Sequence, residues 1–130
     1  MGNRAVIAFE PYSITSPGIY IHWNGGRESV EGFLEACRRL GYRRPDMDPS
    51  YAMARLTQVI ATFFGGTTSI GIDLIKRLDT DNGDNGVYVV GGDWEIKRRR
   101  FRTSPDVSDP EKTKAIADKI VAALADNAKE

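Results

Sequence analysis

One cysteine, one histidine and no surplus of charge of either sign mark what this 130-residue chain does without. Cys37 alone cannot close an intramolecular disulfide, and with His22 as the only imidazole a zinc centre built on thiolates and imidazoles lacks ligands. The 18 basic residues are balanced by 18 acidic ones, so net charge names no class of partner. No apolar run approaches the ~20 residues needed to cross a bilayer. The opening MGNRAVIAFE has no long uncharged core of a secretion signal, and Val6 stands where a myristoylation signal requires Ser or Thr. Nucleophile elbows, paired-carboxylate signatures and nucleotide fingerprints are missing as well. These absences predict a cytoplasmic protein with no membrane association and no cofactor.

What is present is the balance of an ordinary folded domain, 41% hydrophobic and 28% charged. At this length one domain spanning residues 1–130 is expected to bury a core without metal or disulfide help. Arg4 to Phe9 is short, apolar and partly β-branched, and after the turn-rich EPYSITSPG a second strand pattern follows in IYIHW. Alternation places Ile19, Ile21 and Trp23 on one face, Tyr20 and His22 on the other. The period then changes. Val30, Phe33, Leu34, Cys37 and Leu40 recur at helical spacing, with Gly41 placed for a left-handed cap.

Asp48-Pro49 announces a second helix with the stripe Met53, Leu56, Ile60, Phe63 and Phe64, stopped by Gly65-Gly66. Asp109-Pro110 announces a third, with Ile116, Ala117, Ile120, Val121 and Leu124 inward and the last residues, Asp126 to Glu130, fraying. Between them, Ile70 to Leu78 reads as a strand, DTDNGDNG as a tight reversal favouring antiparallel pairing of its flanks, and VYVV and WEIKRRRF as two more strands. The order β-β-α-α-β-β-β-α predicts an α+β fold: an antiparallel sheet of about four to five strands with three helices packed mainly on one face.

Four constellations bear on function. A strand delivered into Asn24, Gly25, Gly26 and Arg27 at a helix start brings backbone amides and a guanidinium together, suiting phosphate or carboxylate, though the spacing is not that of a phosphate loop. His22 is the natural general base beside it, but one histidine is not a mechanism, and Cys37 lies on an apolar stripe where a thiol behaves as a small hydrophobe. Asp79, Asp81 and Asp84 are candidate cation ligands, yet the EF-hand registers starting at Asp79 and at Asp81 both fail, because Gly83 occupies a required ligand position and Val90 or Gly92 stands where the closing glutamate belongs. A polar turn is the simpler account. The run KRRRFR is the strongest charge signal: Arg98, Arg100 and Arg102 on one strand face behind Trp94 and Ile96, Lys97, Arg99 and Phe101 on the other. Such a row suits an acidic protein surface or a phosphate backbone, and equally a solvated edge strand.

The segments GIYIHWNGGRESVEGFL, YAMARLTQVIATFFGG, DTDNGDNGVYVV and WEIKRR together resemble a family of small proteins of bacterial genomes and their phages or mobile elements, with an HWNGG motif and no assigned activity, over roughly Val6 to Arg100. The resemblance implies an accessory protein of mobile DNA, for instance one acting against a host defence complex, and no catalytic residue. The chain is therefore read first as an interaction module for a macromolecule, foremost a protein. A nucleic-acid binder using Lys97 to Arg102 comes second. An enzyme acting on a small anion at the HWNGGR turn with His22 comes third. Self-association by edge pairing or by the last helix stays open.

Overall fold

A computed structural model describes residues 2–65 and 69–128. Among the described residues five strands and three α-helices follow in the order β1 (Ala5–Phe9), β2 (Pro17–Ile21), α1 (Arg27–Arg39), α2 (Pro49–Phe64), β3 (Ile70–Leu74), β4 (Val87–Val90), β5 (Ile96–Arg100) and α3 (Pro110–Ala128), with a 3-10 turn at Ile75–Arg77. They form an α+β fold around one five-stranded sheet, β3-β2-β1-β4-β5. No helix among the described residues is long and apolar enough to cross a membrane. Gly66 and the terminal Lys129 and Glu130, expected to stop α2 and to fray, lie outside the described residues.

Three of the four strand pairs are antiparallel, and β1 runs parallel to β4 in the register Val6↔Val87 to Phe9↔Val90. The sheet is therefore mixed where the sequence suggested an antiparallel one. A parallel pair sits where both faces are covered, and β4 is buried at every residue. Ala5, Ile7, Ile19, Ile21, Tyr88 and Val90 meet the inward residues of the helices, among them Phe33, Leu34, Cys37, Leu56, Ile60, Ile116 and Ile120. On the opposite face Val6, Ala8, Val87 and Val89 are covered by Ile75, with Tyr12, Tyr20 and Leu78 packed around them. Ile75 explains why β3 ends early: the chain leaves the sheet there and turns this side chain inward, so the strand expected to reach Leu78 closes at Leu74.

The helices form for the local reasons their sequences carry. In α2, the Asp48 carboxylate accepts from the Tyr51 amide at 3.1 Å, Pro49 occupies the first turn, and Gly65 closes the helix at φ 70°. Helix α3 packs chiefly on α1, tied by the Thr113 hydroxyl, which donates to the Glu28 carbonyl at 2.7 Å.

The Asp79–Gly86 segment does not join a hairpin. Strand β3 lies at one edge beside β2, whereas β4 lies beside β1, so the segment crosses between non-neighbouring strands. Its tight form is organised by buried Asn82, whose side chain donates to the Asp79 carbonyl and accepts from the Asp84 and Gly86 amides. Local turn chemistry is satisfied either way.

Candidate functional site

Most of the polar candidates converge on one end of the sheet, where β1 begins, β2 ends, β4 begins and β5 ends. Strand β2 stops at Ile21, so Trp23 does not continue the inward row of Ile19 and Ile21; it is exposed, its ring edge-on to His22 at 4.9 Å. Asn24 then turns the chain at φ 58°, a conformation asparagine tolerates. Gly25 packs directly on the start of β1, where a Cβ would meet the Asn3 carbonyl oxygen at 2.4 Å. Its amide donates to that carbonyl, and its own carbonyl accepts from the buried Tyr88 hydroxyl at 2.6 Å. Burial raises the Tyr88 pKa, so the hydroxyl stays protonated and remains the donor. Gly26 caps α1 without a side-chain hydrogen bond. The turn is thus held from two strands.

Arg27, first residue of α1, points to a carboxylate outside the turn. Its guanidinium donates to Asp106 at 3.0 and 3.2 Å and lies 3.5 Å from Glu31. Arg99 donates to the same Asp106 and, at 2.9 Å, to the Asn85 carbonyl. Burial disfavours a charged Asp106, but the two guanidiniums outweigh it and hold the carboxyl below its ordinary range.

The basic strand differs from its simple alternation. Pairing runs Val90↔Ile96 and then Val89↔Arg98, leaving Lys97 as an extra bulged residue. The bulge flips the register: Ile96 joins the helix-side core, Arg98 and Arg100 share the opposite face with Val89 and Val87, and Arg99 falls on the helix side against Tyr88. The Arg99 guanidinium carbon lies 3.8 Å from the Tyr88 ring centroid, and its side chain is only 7% exposed. Arg98 and Arg100 thus share a face as expected, but it is the face away from Ile96 and Trp94, and Arg99, expected on the other face from those two, joins their side and is buried there. Lys97 is held by Asp93 at 2.7 Å and Glu95 at 3.3 Å, which pushes Asp93 down to about 2. Arg100 stacks on Tyr12 at 4.6 Å, and Arg102 donates to the Ser104 carbonyl. Among the described residues no carboxylate lies within 4.0 Å of Arg98, Arg100 or Arg102.

His22 is half-buried, with Nδ1 2.9 Å from the Tyr20 hydroxyl, and it lines an open cavity with Gly2, Arg4 and Asp84. Cys37 is buried in the helix-side core, where burial drives its thiol pKa far up. It is unavailable as a partner nucleophile for His22.

Of the three aspartates, Asp84 accepts from both the Arg4 guanidinium at 2.8 Å and the Arg4 amide at 3.1 Å, and these hydrogen bonds lower its pKa. Asp79 lies 3.6 Å from the same guanidinium, while Asp81 is exposed. An arginine thus stands where a cation was considered. No group of three or more His, Cys, Asp or Glu side chains among the described residues is arranged to hold a metal ion.

Sequence reasoning missed Arg4, Asn85, Tyr88 and Asp106. Each reaches the site by long-range folding, Asp106 from a segment 79 positions after Arg27; Asn85 and Tyr88 stand in the turn and strand the sequence shows, but nothing local marks their side chains as part of this site. A comparison of the chain with family models, curated proteins and solved structures finds no match.

Proposed function

We propose that this protein is an interaction module that binds an acidic macromolecular surface, foremost that of a protein, through the outer face and end of β5. The observation that carries this reading is the contrast in charge compensation. Arg4, Arg27, Arg38, Arg39, Lys97 and Arg99 each have a carboxylate within 4.0 Å, whereas Arg98, Arg100 and Arg102 have none among the described residues. Uncompensated arginines on an edge strand, with the exposed ring of Phe101 between them, are groups that anchor interfaces. The chain as a whole is neutral, which favours a local protein contact over the broad basic footprint of a nucleic-acid binder. The family resemblance supplies the setting: an accessory of mobile DNA acting in the cytoplasm on a host or phage protein.

The test is binding of a labelled poly-glutamate peptide and of a single-stranded oligonucleotide, each followed by fluorescence anisotropy across a salt series. The triple variant Arg98→Ala, Arg100→Ala, Arg102→Ala should lose the peptide, while a control replacing Arg43, Arg44 and Arg77 should keep it. Equal loss in both variants would reduce the effect to net charge and overturn the reading. Tighter binding of the oligonucleotide, with a salt slope that flattens in the triple variant, would transfer the same strand to nucleic acid.

A further inference from the structure

Between the first turn of α1, β5 and the segment leading to α3 lies a cavity of about 290 Å³ lined by Arg27, Ile96, Lys97, Arg98, Arg99, Arg102 and Asp106. Five of these seven side chains are cationic. Arg99 is the one most removed from water, 7% exposed against 23% for Arg27. Two of its nitrogens have acceptors, in Asp106 and the Asn85 carbonyl, but its Nε–H is buried without any. A guanidinium is never neutral in a protein and donates through every N–H, so this Nε–H is a buried donor whose hydrogen bond the protein itself does not satisfy.

Asp106 answers the cluster incompletely. A single oxygen, Oδ1, accepts from both Arg27 and Arg99, and Oδ2 accepts only from Arg27. The aspartate is carried by a stretch without regular structure between β5 and α3, and its side chain is 33% exposed. One carboxylate with two oxygens faces an array of donors that a tetrahedral anion with more oxygens would match better.

We propose that this cavity is a binding site for a phosphate group, free or as a monoester, and that Asp106 is its built-in competitor, which the phosphate displaces from Arg27 and Arg99. The helix start contributes little, because the Glu28 carboxylate already lies against Gly26, where a Cβ would meet its Oε1 at 2.8 Å. Recognition is by guanidinium forks. The cavity shares Arg98 and Arg102 with the acidic-surface reading, but its test turns on Arg99 and Asp106, which take no part in that reading's test, so either can fail alone.

The experiment is titration of the full chain with inorganic phosphate and, in a second arm, with free phosphoserine, read by calorimetry and by the NMR resonance of the Arg99 Nε–H. Phosphate should shift that resonance. Asp106→Asn, which removes the competing charge and keeps the shape, should tighten binding about tenfold, and Arg99→Lys should weaken it about tenfold while keeping the charge. Tighter binding of phosphoserine assigns the monoester as the ligand, and tighter binding of inorganic phosphate assigns the free anion. Should Asp106→Asn misfold, Asp106→Ser serves the same purpose. An unmoved Nε–H resonance in the natural chain at millimolar phosphate, or Asp106 variants that bind no tighter than it does, would reduce Asp106 to a structural tie and overturn the proposal.

Discussion

At the scale of single residues, the packing of Gly32 decides a sign that propensity alone gets wrong. Gly32 lies in the middle of α1, where alanine would favour the helix by about 1 kcal/mol. A Cβ there would meet Ile116 Cγ2 at 2.7 Å and Cβ at 2.9 Å across the contact with α3. Overpacking of this kind costs about 1–3 kcal/mol, and neither atom of Ile116 is the far end of a flexible side chain. Gly32→Ala is therefore expected to destabilise the protein by up to about 2 kcal/mol in urea unfolding, the clash outweighing the propensity gain. A stabilised variant would mean that α3 can shift on α1. Periodicity already marked the surroundings of this glycine, since Val30, Phe33, Leu34 and Cys37 are all buried. That the helix on the other side approaches so closely was not legible, because it depends on a partner more than 80 positions away.

At the scale of elements, caps and bulges decide where regular structure begins and which way it faces. The Asp48 carboxylate is the side-chain cap of α2. Asp48→Ala should cost about 0.5–2 kcal/mol, seen as a lower urea midpoint with little change in slope, because the helix is still packed through Leu56, Val59 and Ile60. The three helices were readable from caps and apolar spacing, since both signals are local. Strand β5 was readable as a strand but not in its facing. The extra residue at Lys97 breaks the period-two alternation, and a one-residue change of register sends every following side chain to the other face. This is why Arg99 ends against Tyr88 instead of in a solvated row. The Asp79–Gly86 turn teaches the complementary lesson. Its asparagines and glycines specify a compact turn, but the strands it joins are chosen by which edges of the sheet are open.

At the scale of the whole molecule, many ion pairs on a neutral chain make its stability sensitive to acid. Hydrogen bonds from Arg4 lower the pKa of Asp84, and Lys97 pushes Asp93 down to about 2. An unfolded aspartate titrates near 3.9, so on acidification the unfolded chain takes up protons before the folded one. These groups contribute stability that is fully present above about pH 4 and is lost as pH falls toward about 2. The urea midpoint should accordingly decline through that window. Asp84→Asn should lower the midpoint at neutral pH and flatten the acid limb, because its carboxylate no longer gains a proton on unfolding. A midpoint constant from pH 5 to pH 2 in the natural chain would show that these pairs are no tighter folded than unfolded. Asp84 keeps 26% of its side chain exposed, so solvent screens the Arg4 pair and the effect of this single site is modest.

By itself the sequence determined what depends on near neighbours: three amphipathic helices with their caps, short apolar strands, a turn at Asn24–Gly25 and a thiol that belongs indoors. Hydrophobic period and backbone preference act over a few residues, and a single chain displays them in full. Only the tertiary structure decided the parallel pairing of β1 with β4, the bulge that turns Arg99 rather than Arg98 and Arg100 toward the core, and the meeting of Arg27, Arg99 and Asp106. Those depend on which surfaces are left uncovered once the helices have docked, and on charges brought together from distant positions, where no local period carries information.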